Sequence, residues 1–201
     1  MMPIWILVLG VSYLIGSIPT GYWLGKIWKG LDVRQHGSGN LGATNVFRVL
    51  GTGPGLLTLT IDMAKGAGPV LEVQHAFPHA LGLSAAAGLA AIIGHMTSVF
   101  VGFRGGKGVA TSTGVFAALL PIPSAIAAAV FALSLTLSRM VSVSSICAAV
   151  TLAIAAFLLS PERLLAYTAA TVACLVIWTH RGNIQRILAG TESRIGSKGH
   201  A

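Results

Sequence analysis

The stretch VATSTGVFAALLPIPSAIAAAVFALSLTL, Val109 to Leu137, carries no ionisable side chain and has Pro121-Ile122-Pro123 at its middle. It reads either as one kinked apolar helix or as two short helices, 109–120 and 122–137, joined by a tight turn. Proline removes a backbone donor and disfavours helix at the residue before it. The choice reverses the orientation of everything that follows. Working outward, further apolar runs cover Pro3 to Lys26, Leu50 to Val70, His79 to Phe103, Val141 to Leu159 and Leu164 to Thr179. Counting lysine and arginine decides between the two readings. With seven helices, one side of the membrane holds Lys26, Lys29, Arg34, Arg48, Arg104, Lys107, Arg139, Arg181, Arg186, Arg194 and Lys198, eleven of the thirteen basic residues. Arg163 alone falls opposite, and Lys65 lies within the second helix. Fusing the two central helices would move Arg139, Arg181, Arg186, Arg194 and Lys198 across. The positive-inside rule therefore predicts an all-α polytopic protein of seven transmembrane helices, N-terminus outside and C-terminus cytoplasmic. Residues 1–201 form one membrane-embedded domain in this reading.

The composition agrees. The chain has 201 residues, 54% hydrophobic and 9% charged, with a mean hydropathy of +0.81. An ordinary soluble domain is roughly 25% charged. The net charge of +8 reads as topology first, and nucleic acid is not an expected partner. The N-terminal run lacks a basic leader and reads as a retained helix, not a cleaved signal. Cys147 and Cys174 sit in apolar runs without metal-ligand or disulfide spacing, and no metal site or cofactor is expected.

Chemistry is expected in three polar segments. Gly37-Ser38-Gly39-Asn40-Leu41-Gly42-Ala43-Thr44-Asn45, with Arg48 after it, contains a literal GxGxxGA. A dinucleotide fold is excluded, because apolar helices flank the motif where a βαβ unit is required. Glycine backbone that can surround an oxyanion remains, beside an arginine with a bidentate fork. Its bland alternative is a glycine-rich turning loop. The second segment, Phe103-Arg104-Gly105-Gly106-Lys107-Gly108-Val109-Ala110-Thr111, fails the Walker spacing. Glycines around a lysine at a helix N-terminus nevertheless suit phosphate, the alternative being a positive-inside anchor. The third runs from His180 to Glu192. His180 and Asn183, three apart, share a face on a continuing helical turn, and Glu192 reads best as an ion pair fixing the basic tail. Asp62 and Lys65, spaced i,i+3 in the second helix, are expected to neutralise each other. His95 reads as a packing histidine, and His75, His79 and His200 converge on nothing.

Together, Ser38-Gly39-Asn40-Leu41-Gly42-Ala43-Thr44-Asn45 with Arg48, Asp62 with Lys65-Gly66, Gly105-Gly106-Lys107-Gly108-Val109-Ala110-Thr111, and His180-Arg181 with Asn183, Arg186, Gly190 and Glu192 resemble the bacterial acyl-phosphate:glycerol-3-phosphate acyltransferase family, the PlsY type. Arg104 departs from the lysine expected beside the glycine loop. The resemblance implies transfer of an acyl group from lipid-dissolved acyl phosphate to cytoplasmic glycerol 3-phosphate, giving 1-acyl-glycerol-3-phosphate. It also implies an inner-membrane, cytoplasm-facing site, and a monomer suffices. By position it assigns catalysis to Ser38, Arg48, Lys107, His180 and Asn183. Substrate or phosphate binding falls to Gly39, Asn40, Gly42, Thr44, Asn45, Gly105, Gly106 and Gly108, and structural support near the site to Asp62, Lys65 and Glu192.

That reaction suits the residues. Acyl phosphate brings its own leaving group, so no nucleophile triad is needed; the protein must bring two phosphate-bearing molecules together and support an oxyanion. His180 could be a general base or an orienting donor, and the reading favours proton transfer to the donor phosphate. No histidine is followed five positions on by aspartate, which disfavours the HxxxxD thioester chemistry. The rival is a transporter for an organophosphate anion, which would place its cations near the membrane midplane.

Overall fold

A computed structural model describes residues 3–196; Lys198 and His200 lie outside them. The chain, read from sequence as one domain, folds as two compact units divided at the Leu119–Leu120 peptide.

The first unit holds α1 (Ile4–Ser17), α2 (Thr20–Lys29), α3 (Ala43–Leu50), α4 (Thr52–Ala76), α5 (Leu81–Met96) and α6 (Val109–Leu119), with single 3-10 turns at Val33–Gln35 and Val99–Val101. The expected first helix is broken at Ile18-Pro19, where Ile18 has ψ 112°. Proline at 19 forces its predecessor out of the helical region. The glycine segment is only half a loop, since α3 begins at Ala43 and carries Arg48. The expected second helix runs on to Ala76 with Pro69 inside it.

Small residues let backbones meet. A Cβ at Gly16 would collide with Ala91 O, one at Gly94 with Tyr13 O, one at Gly66 with Thr111 O and one at Gly114 with Met63 O. These contacts seat α1 on α5 and α4 on α6. In an apolar solvent such close approach, not burial of oil, drives helices together. A separate cluster of Val33, Leu41, Val46, Leu50 and Val101 packs under the first glycine segment, so that loop has a core of its own.

The second unit holds α7 (Pro121–Ser138), α8 (Val141–Leu159), α9 (Arg163–Thr179) and α10 (Arg181–Leu188), with α8 packed against both α7 and α9. Leu120 alone separates α6 from α7, with φ −140° and ψ 68°, so Val109 to Leu137 forms two helices. α9 and α10 are bent by 56°.

Each apolar segment read from sequence contains a helix, and the first contains two. Among the described residues four helical runs are long and apolar enough to cross a bilayer, or five counting the bent α9–α10 pair. α6 has 11 residues, which at 1.5 Å per residue reaches about half of a ~30 Å hydrocarbon core. α4 is long but carries Asp62, Lys65 and Glu72.

Candidate functional site

In the first loop, Asn45 is the organiser. Its Oδ1 accepts from the Ser38 amide at 2.7 Å, and its Nδ2 donates to Val33 O at 2.9 Å and His36 O at 3.1 Å. The residue is 1% exposed. Asn45 was expected to bind substrate; its amide instead shapes the loop, because three backbone groups occupy it. Gly37 and Gly39 turn the chain with φ of 62° and 71°, and a Cβ on Gly37 would strike Asn45 Oδ1. Asn40 Oδ1 accepts from Gly42 N at 2.8 Å, a local turn that opens α3. The result presents Ser38, Gly39 and Arg48 to solvent, with Thr44 half-buried.

A clamp unread from sequence fixes this loop. Arg34 forks onto Asp32 with Nη2–Oδ2 at 2.7 Å, lies 4.9 Å above the Tyr22 ring, and donates from Nη1 to Val101 O at 3.3 Å. The Arg34 guanidinium holds the Asp32 carboxyl below the ordinary carboxylate range. The Asp-x-Arg spacing was visible, but its meaning depends on Val101, far along the chain.

The second loop is tied to the end of α5. Gly105 N–H donates to Met96 O at 3.1 Å and Gly106 N–H to His95 O at 3.0 Å. Both amides, which the sequence suggests for a phosphate, are engaged by these carbonyls. An anion here is left with the Lys107 side chain and the start of α6. Gly108 supplies φ +81°, and its carbonyl accepts from Ser112 N at 2.8 Å, which starts the helix directly after Lys107. Lys107 is half-buried.

Beneath the loop lies a pocket lined by, among others, Ser17, Thr20, Leu41, Asp62, Lys65 and His95. Asp62 Oδ1 is 2.7 Å from Lys65 Nζ and accepts from Thr20 Oγ1 at 3.0 Å. Lys65 also donates to Ile18 O at 2.7 Å, the carbonyl at the α1–α2 break. The i,i+3 pair is thus present, and it serves the broken helix as well. His95 is buried, its Nδ1 3.9 Å from Asp62 Oδ1.

In the second unit His180 does not continue a regular turn: it sits at the bend between α9 and α10. His180 and Asn183 are both buried. Its Nδ1 lies 2.8 Å from Val176 O, so the neutral ring carries its proton on Nδ1 and its lone pair on Nε2. Gly190, with φ 70°, turns the tail back so that Glu192 meets Asn183 Nδ2 at 2.6 Å, Ser142 Oγ at 2.7 Å and Arg186 Nε at 2.8 Å. Burial opposes ionisation of Glu192, and these three donors outweigh it, holding the carboxyl below the ordinary glutamate range. Ser142 lies in an apolar run and gave no sequence signal. Cys147 and Cys174 are free, and among the described residues no group of three or more His, Cys, Asp and Glu could hold a metal.

Apolar helices bearing cation-edged glycine loops, with a tail held by the Asn183–Glu192 bond, define an all-helical membrane protein. The sequence profile of the glycerol-3-phosphate acyltransferases matches residues 6–190, and the chain belongs to that family. It is 44% identical to the glycerol-3-phosphate acyltransferase of Acaryochloris marina, covering 98% of this chain and 96% of the relative. With that of Trichlorobacter lovleyi it shares 49% identity over 91% and 93%. Its fold superposes with a TM-score of 0.92 on the crystal structure of PlsY (YgiH), an integral membrane glycerol 3-phosphate acyltransferase, in its glycerol 3-phosphate form, at 37% identity and 97% coverage of both chains. The lysophosphatidic acid form of that protein gives 0.90.

Proposed function

We propose that the chain transfers an acyl group from acyl phosphate to the 1-hydroxyl of glycerol 3-phosphate, releasing phosphate and 1-acyl-glycerol-3-phosphate. The observation that carries this is the match over 97% of both chains to a protein solved in glycerol 3-phosphate and lysophosphatidic acid forms. Those two ligands differ by one acyl group, and so stand as acceptor and product. In the reaction the glycerol oxygen attacks the acyl carbonyl carbon, the carbon–oxygen bond to phosphate breaks, and the hydroxyl proton leaves on a phosphate oxygen. Arg48 and Lys107 clamp phosphate, whose charge they neutralise as it develops. Ser38, Gly39 and Thr44 of the first loop contact substrate, with Asn40, Gly42 and Asn45 holding that loop in shape. Gly105, Gly106 and Gly108 do the same for Lys107. His180 and Asn183 hold the glycerol phosphate and its reacting hydroxyl, the His180 ring being oriented by the contact of its Nδ1 with Val176 O. Asp62, Lys65 and Glu192 support the architecture.

The proposal includes seven crossings with the N-terminus outside, the site facing the cytoplasm of a bacterial inner membrane, and function as a monomer. The arginine and lysine distribution supports the orientation. The test is phosphate release from palmitoyl phosphate by the purified protein in lipid, with and without glycerol 3-phosphate, beside Lys107→Ala. Release that needs both substrates and falls by about 10², or ~2.7 kcal/mol of transition-state stabilisation, is expected. Absence of release with tight glycerol 3-phosphate binding would replace the acyltransferase with an organophosphate transporter.

A further inference from the structure

We infer that His95 is a positioning residue for Lys107, an inference that rests on the reading of Lys107 as a phosphate clamp. His95 holds the neighbouring Gly106 at two points. Its backbone carbonyl accepts the Gly106 N–H at 3.0 Å. Its ring lies so close above the Gly106 backbone that a Cβ there would meet Nε2, just as one on Gly105 would meet His95 O. Lys107 is the next residue, and Gly108 with its positive φ then starts α6. The segment between α5 and Lys107 therefore has little slack of its own.

The ring is wedged from the other side. His95 Nδ1 faces Asp62 Oδ1, and Asp62 is itself held by Lys65 and Thr20. Lys65 is anchored in turn to Ile18 O, and the residue after it, Gly66, is flush against the Thr111 carbonyl of α6. α4 thus braces both the ring under Gly106 and the helix that follows Lys107. A histidine with no bond to substrate still sets where the ammonium group stands, to the fraction of an ångström that transition-state stabilisation requires.

The test is a double-mutant cycle in the palmitoyl phosphate assay with His95→Ala, Lys107→Ala and the double variant, each normalised to folded protein. Removal of His95 should lower kcat/KM by about tenfold when Lys107 is present, and by less than about twofold when it is already alanine. A general loss of structure scales both backgrounds alike, so multiplying losses would overturn the proposal. Parental activity in His95→Ala would do the same. Parental activity in Lys107→Ala would instead defeat the clamp reading, a distinguishable result that takes this role with it. His95→Gln, a polar side chain of similar reach, repeats the cycle if alanine lowers the yield. Failure of both variants to fold would place His95 in the fold as a whole and overturn the positioning role.

Discussion

Lys65 Nζ lies 2.7 Å from Asp62 Oδ1, one turn apart on α4, with both side chains almost wholly buried. Each partner also bonds the start of α2 or the break before it, so the pair secures a helix that proline has interrupted. Removing one member leaves an unneutralised buried charge. Asp62→Asn or Lys65→Met alone should destabilise the protein by about 3–5 kcal/mol, and the two together by less. Thermal unfolding in detergent distinguishes this from simple additivity.

Arg48 is exposed on α3, so its substitution should spare the fold. Arg48→Ala is expected to lose about 10²-fold in kcat/KM and Arg48→Lys about tenfold, because lysine keeps the charge without the fork. Equal activity of both variants and the parent would remove Arg48 from the clamp.

Backbone crowding makes a sharper expectation at the glycines. Gly105→Ala places a methyl against His95 O with no flexible neighbour to give way, whereas Gly53 has open space around it. The former should lose most activity and unfold earlier; Gly53→Ala should change activity less than about twofold, as an uncrowded surface substitution does.

Glu192 sets a pH window. Its folded carboxyl titrates below the unfolded value of 4.5, so its contribution is fully present above that value and is lost as pH falls through the folded one. Protection of the amides from Asn183 to Glu192, measured against their intrinsic exchange rates at each pH, should fall on acidification below 4.5, and Glu192→Gln should lower it already at neutral pH. A flat profile in the parent would contradict the bonding pattern.

Proton transfer to the donor phosphate predicts that His180→Ala loses activity without a change in the shape of the pH profile. Added imidazole should restore nothing. Rescue by imidazole would instead make His180 the base.

Periodicity and charge placed the helical segments well, because apolar runs bounded by Pro, Gly and basic residues leave few choices of register. The break at Ile18-Pro19 is hidden by the hydropathy of the run around it, which masks a local proline effect. α3 was missed because its eight residues, Ala43–Leu50, continue directly from a glycine loop. The site residues announced themselves by type, but their duties did not. Asn45 and the Gly105 and Gly106 amides look like anion ligands in sequence, and only the carbonyls of Val33, Met96 and His95, brought close by folding, reveal where their bonds go. Ser142 was hidden for a related reason: nothing local marks which serine of a helix meets a returning tail.

Arg34 binds Val101 O while its own neighbour Asp32 anchors the first loop. Two segments that the proposed reaction would set against its substrates are thereby tied to each other, with a cation stacked on Tyr22 at the join. If substrate settles against one of them, the other has less freedom left to lose than a loop held by its ends alone.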